Sequence, residues 1–313
     1  MAFDCIIEQQ GKESSITLQD KDGFIEAEIL TVGGILNAFV INVNGIKTNV
    51  IDGFNDTIEA QTAMSNAFKS AFLSPFTCRM NHGKYSFNDT NYTIEKFYLQ
   101  PHAIHGIVFD ASYKIINTSI SDELVSVTLQ HDYEGTDKGY PFTYTIEHQW
   151  TLAAKGKLSV STTITHNNSK SILYAQGWHP YFTLGTSINT CSFQMDSNTL
   201  IEFDETLIPT GKKIIDNRFE EPKLLENTFL DNCFELKSTN NPSCKFYNND
   251  LSIEIIPEKN YPFIQVYTPP HRNSIAIENL SGAPDCFNNG MGLMHIEPHT
   301  NTTFVTSYVL SKR

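Results

Sequence analysis

Three short segments of this chain place proton-handling side chains in unusual company. In Gln100-Pro101-His102-Ala103-Ile104-His105-Gly106, two histidines lie three residues apart between a proline and a glycine. That spacing is not a strand pattern. It predicts a loop in which His105 is held beside a backbone turn, with a solvent-exposed loop histidine as the alternative. In Gly177-Trp178-His179-Pro180-Tyr181-Phe182, a histidine is enclosed by aromatic residues. Burial lowers a histidine pKa and a nearby carboxylate raises it, so His179 can be tuned for acid work near neutrality. A core histidine packed by aromatics fits the same string. In Ile275-Ala276-Ile277-Glu278-Asn279, a carboxylate closes an apolar strand ahead of a turn. Apolar surroundings raise its pKa toward the range a general base needs. A partly exposed strand-end glutamate is the plainer reading.

Other candidate signals carry less. His295, Glu297 and His299 alternate as metal ligands on one strand face would, but Pro298 interrupts them. Gly290-Met291-Gly292 lacks the third glycine and the strand-to-helix setting of a dinucleotide fingerprint. The six cysteines (Cys5, Cys78, Cys191, Cys233, Cys244 and Cys286) stand singly, with no CxxC pair. They read as free thiols of a reducing, cytoplasmic setting. No metal and no cofactor is expected.

Strands must position these groups. Phe39–Val43 and Ile46–Val50 flank Asn44-Gly45, the pair a type I′ hairpin turn requires. Tyr85–Phe87 and Tyr92–Ile94 form a second hairpin around Asn88 to Asn91. Phe142–Leu152 and Lys157–Thr165 turn at Lys155-Gly156, and Cys244–Tyr247 and Leu251–Ile256 turn at Asn248 to Asp250. Leu124–Leu129, Phe263–Thr268 and Ser274–Ile277 read as further strands. One helix is predicted near residues 57–73, where Ala60, Ala63, Met64, Ala67, Phe68, Ala71 and Phe72 fall at i, i+3, i+4, i+7 spacing. Asp56 or Thr57 can cap it and Pro75 ends it. Many short strands, one helix and no linker predict an all-β, antiparallel β-sandwich spanning residues 1–313 as a single domain.

Charge excludes some partners. The 22 Lys and Arg against 35 Asp and Glu give a net charge of −13 with no basic run. A nucleic-acid binder needs a basic face to release counterions, and an anionic membrane surface needs the same. No apolar run approaches the ~20 residues that span a bilayer. The start, Met1 to Ser15, lacks the basic and apolar regions of a signal peptide.

Taken in order, the segments resemble the aldose 1-epimerase (galactose mutarotase) family over about residues 23 to 311. The resemblance rests on Ser74-Pro75-Phe76-Thr77-Cys78-Arg79-Met80, Ala103-Ile104-His105-Gly106, Gly139-Tyr140-Pro141 and Trp178-His179-Pro180-Tyr181-Phe182. It continues through Leu230-Asp231-Asn232-Cys233-Phe234, Phe263-Ile264-Gln265-Val266-Tyr267 and Ala276-Ile277-Glu278. It implies a large β-sandwich and interconversion of the α and β anomers of an aldohexose, a monosaccharide substrate. It implies Glu278 as base, His179 as imidazolium acid and His105 as a polarising group. Arg79, Asp231 and Gln265 would bind hydroxyls, and Trp178 or Phe182 would back the sugar ring. His179 and Glu278 are expected on opposite sides of a gap of roughly 5–8 Å, by analogy with paired carboxylates around a glycosidic bond.

Ile107 stands where the family often has a second glycine, His102 replaces a frequent asparagine, and Asn279 follows Glu278 where proline or threonine is common. These departures touch the rim of the site, and so the identity of the sugar. Two other classes stay open. A glycoside hydrolase would pair Asp231 with Glu278 but leave His179 idle. A sugar-binding sensor would keep the fold and lose the chemistry.

Overall fold

The computed structural model describes residues 3–237 and 242–313. Strands dominate, as the alternating pattern demands. Five N-terminal strands from Phe3 to Asn49 form a meander in sequence order. A nine-stranded antiparallel sheet carries the long hairpin Tyr144–Ala153 and Lys157–Thr165, with the C-terminal strand Thr302–Lys312 at its centre between that hairpin and Leu251–Lys259. A second large sheet holds, in order, Pro209–Ile215, Thr199–Phe203, Asp231–Glu235, Phe263–Tyr267, Ile275–Leu280, Gly177–His179 and Ala71–Leu73. The short strand Tyr181–Phe182 also pairs with Ile275–Leu280. A large apolar cluster that includes Phe72, Trp150, Trp178, Phe182, Ile264 and Ile277 occupies the interior, and a smaller one with Met64, Phe68, Ile104 and Phe109 lies under the helix.

The helix is shorter than its apolar spacing predicts. It runs Thr57–Ala67, capped by Asp56, whose side chain accepts from the Glu59 amide at 2.8 Å. Phe68 then turns left-handed, at φ 55°, and its amide closes onto the Met64 carbonyl. The remainder, Ala71–Leu73, is a strand paired with Gly177–His179. Sheet pairing with a segment about a hundred residues away outcompeted the last helical turn. A second helix of one turn, Cys286–Asn289, was not expected. No helix among the described residues is long and apolar enough to cross a membrane.

Candidate active site

Register builds the site. Phe263–Tyr267 and Ile275–Leu280 pair so that Gln265 lies opposite Glu278, and Cys233 lies opposite Gln265 on the other flank. On the far side, Gly177 pairs with Leu280 and Trp178 with Asn279. The same register puts His179 across from Glu278. Directly opposed residues share a sheet face, so His179, Glu278, Gln265 and Cys233 form one row. Two residues along, Tyr181, Ala276, Tyr267 and Asp231 form the next row of that face.

Two further groups arrive from a small sheet of Tyr98–Leu99, His102–Ile104 and Arg79–Met80. His102–Ile104 is therefore a strand, not the loop expected, because its backbone pairs on both sides, and only at His105 does the chain turn out of it. Arg79 pairs through its backbone with Ile104, and the His105 amide donates to the Cys78 carbonyl at 2.9 Å. His105 and Gly106 are both left-handed, at φ 62° and 77°. A Cβ on Gly106 would stand 2.2 Å from the Ser74 carbonyl oxygen. Only glycine lets the His105 loop lie on that strand end, which explains the His-Gly pair.

Arg79, His105, His179, Asp231, Gln265 and Glu278 therefore line one cleft of about 420 Å³. Nε2 of His179 lies 3.3 Å from Oε1 of Glu278. Gln265 donates to Asp231 at 2.7 Å, leaving its own carbonyl oxygen without a partner among the described residues. Nδ1 of His105 and of His179 are likewise unpartnered there. Buried polar atoms are rarely left so; these offer hydrogen bonds to a polar ligand.

Electrostatics follow burial. Burial pushes the Glu278 carboxyl well above the usual carboxylate range, and Asp231 adds to the shift. Burial pulls His179 down to about 4 and His105 well below its ordinary value, the latter helped by repulsion from His179. Burial raises Asp231, opposed by Arg79 and by the Gln265 hydrogen bond.

Three expectations need correction. His179 and Glu278 touch rather than face each other across 5–8 Å, because they are cross-strand neighbours. Desolvation pulls His179 below its ordinary value, against the imidazolium expected at rest. Trp178 does not back the ligand. Alternation sends it to the face opposite His179, where it packs on Phe72, His148 and Trp150 with ring centroids 4.8–5.2 Å apart. Phe182 is turned inward for the same reason and is fully buried.

The aromatic walls of the cleft are instead Phe68, Phe97, Tyr181, Phe203 and Tyr267. Tyr181 and Tyr267 were legible by parity, two residues from His179 and Gln265. Phe68 was not, since only the helix end turns its ring onto His105, with centroids 4.6 Å apart. Lys69, ion-paired to Asp52 at 2.7 Å, also lines the cleft. Cys78 also lines it, with Sγ 3.8 Å from Oε2 of Glu278.

Known proteins match this chain at both levels. The model of the family described as aldose 1-epimerase matches residues 14–309. The chain is 26% identical over 240 residues to the Escherichia coli protein named uncharacterized protein YihR, covering 72% of this chain and 75% of that one. A galactose mutarotase-like protein of Clostridium acetobutylicum superposes with a TM-score of 0.87 at 15% identity, covering 100% of this chain and 99% of the other. A galactose 1-epimerase of Lactobacillus acidophilus superposes with a TM-score of 0.84 at 17% identity, covering 99% and 98%. These two structural likenesses establish the β-sandwich fold.

Proposed function

Because the chain belongs to the aldose 1-epimerase family, we propose that it interconverts the α and β anomers of an aldohexose by acid/base ring opening. The observation that carries this reading is the buried His179–Glu278 pair, 3.3 Å apart in a cleft lined by further hydroxyl-binding groups.

Opening a hemiacetal near neutral pH requires one group to take the C1 hydroxyl proton and another to protonate the ring oxygen. Desolvation disfavours charge on both members of the pair, so at rest one proton sits on Glu278 and His179 is neutral. Moving that proton across the contact gives carboxylate and imidazolium with no change in net charge. Glu278 then takes the C1 hydroxyl proton while His179 gives its Nε2 proton to the ring oxygen. The bond from C1 to the ring oxygen breaks and the C1 carbonyl forms. Rotation about C1–C2 turns the other carbonyl face to the ring hydroxyl. Closure reverses both transfers, with Glu278 protonating the carbonyl oxygen and His179 accepting from the hydroxyl. Each positioned transfer contributes typically ~10²–10⁴-fold.

His105 supports charge at the reacting centre, and Arg79, Asp231 and Gln265 bind the remaining hydroxyls. The Gln265–Asp231 bond fixes the amide so that its free carbonyl oxygen accepts from the sugar. Tyr181 and Tyr267 supply apolar ring surface of the kind that sugar C–H faces pack against. The test is polarimetry with freshly dissolved α-glucose and α-galactose. Optical rotation relaxes faster with the protein than without it. Sugar binding with relaxation at the spontaneous rate would favour the sensor reading.

A further inference from the structure

The segment leading into the Arg79–Met80 strand also delivers a thiol to the proton-handling groups. Cys78 is buried, and its Sγ is 3.8 Å from Glu278. One donor atom each of Cys78, His105 and Glu278 lie within 4.8 Å of one another, and all three residues are buried. Nδ1 of His105 lacks a hydrogen-bond partner among the described residues. Thiolate, imidazole and carboxylate are the donor types that zinc takes. At metal–ligand distances of about 2.0–2.3 Å, tetrahedral donors stand roughly 3.3–3.8 Å apart. The Cys78–Glu278 edge already has that length, and the others, each within 4.8 Å, need close by at most ~1.5 Å.

We propose that Cys78, His105 and Glu278 form a binding site for one borderline-soft divalent cation such as Zn²⁺, and that the occupied site stops proton transfer in the cleft. The ion binds as the Cys78 thiol and the Glu278 carboxyl each lose a proton to solvent, with Glu278 coordinating as carboxylate and His105 through a neutral ring nitrogen. Three protein donors leave the fourth tetrahedral position facing the cleft. Coordination ties up the carboxylate that would accept the sugar proton, and the ion occupies space the sugar needs. Metal binding stands independently of the anomer-interconversion reading; the inhibitory consequence rests on it.

The test titrates the full-length protein with Co²⁺ as a coloured stand-in and then with Zn²⁺. The expected result is one ion per chain, a sulfur-to-metal charge-transfer band with Co²⁺, and its displacement by Zn²⁺. Mutarotation of α-glucose should fall along the same one-site curve and recover with EDTA. In Cys78→Ala the band disappears, and half-inhibition by Zn²⁺ takes at least about tenfold more metal, measured against that variant's own metal-free rate. Cys78→Ser, which keeps the side-chain size, gives the same spectroscopic answer should the alanine variant not fold. Absence of the band in the wild type, or its persistence in a folded Cys78 variant, overturns the site. Stoichiometric binding with undiminished mutarotation overturns the inhibition. A protein with no mutarotation even without metal overturns the proposed function, while the band still decides the site.

Discussion

His148 and His179 are both buried and both held uncharged by desolvation, at about 3 and about 4. They differ in what their nitrogens do. His148 lies opposite Thr162 in the nine-stranded sheet. Its Nδ1 is 3.0 Å from the Thr162 hydroxyl and its Nε2 is 3.2 Å from the Tyr113 hydroxyl. Its ring packs on Phe72 and Trp178, the core face of the strands whose other face forms the cleft. His179 has its Nε2 3.3 Å from Oε1 of the Glu278 carboxyl and an Nδ1 without a hydrogen-bond partner among the described residues. A depressed pKa marks burial in both cases. What sets His179 apart is an unfilled hydrogen-bonding capacity beside a carboxyl group, in a side chain that lines the cleft.

The contrast breaks most visibly at Glu278. Glu278→Gln keeps size and hydrogen bonding but cannot accept a proton. Its kcat should fall at least ~10²-fold with sugar binding retained, as polarimetry and a binding titration would report. His179→Asn should follow the same pattern. Wild-type turnover in either variant would reduce the pair to a structural contact.

The opposite outcome is expected at His148. His148→Leu leaves the Thr162 and Tyr113 hydroxyls without their ring partner, at about 1–3 kcal/mol for each stranded group. Urea denaturation should register that loss while kcat of the folded variant stays near wild type. A catalytic defect without a stability defect would erase the distinction between the two histidines.

Acid sensitivity sharpens it further. The folded pKa of His148, about 3, lies below the unfolded value near 6.5. The unfolded chain therefore binds the additional proton between those values. The contribution to stability is full above roughly pH 6.5 and is lost as pH falls toward 3. His179 adds the same sign between roughly 6.5 and about 4. His148→Leu should flatten the slope of stability against pH in that window, read from denaturation midpoints.

Turnover has its own pH dependence. The proposed mechanism has the His179–Glu278 pair share one proton, so kcat/KM should be bell-shaped, with limbs that belong to the pair rather than to either residue. It declines on the acid side as a second proton reaches His179, toward about 4. It declines on the alkaline side as the last proton leaves, above the ordinary carboxylate range because burial raises Glu278. A single-limbed profile would contradict a shared proton.

The smallest effect is expected at Arg79, which lines the cleft without belonging to the pair. Arg79→Lys loses the planar fork but keeps the charge. KM should rise several-fold with kcat little changed, in initial-rate kinetics. A fall in kcat alone would move Arg79 from ground-state binding into the transition state.

Local pattern sufficed for much of this. Alternation and the Asn-Gly and Lys-Gly turns specify the hairpins. A glutamate at the end of an Ile-Ala-Ile run foretells a raised pKa, and His105-Gly106 foretells a left-handed loop. Even the inward turn of Trp178 was legible, since neighbours on a strand cannot share a face. Tertiary structure decided the rest. That His179 meets Glu278 depends on the register between Gly177–His179 and Ile275–Leu280, strands a hundred residues apart. That the helix stops at Ala67 depends on a pairing equally remote. Cys78 looked like any scattered thiol until the loop carrying His105 and the Glu278 strand closed around it. Side-chain period is a property of a few consecutive residues. Register, by contrast, is chosen by the joint burial of both partners, and neither segment carries that information alone.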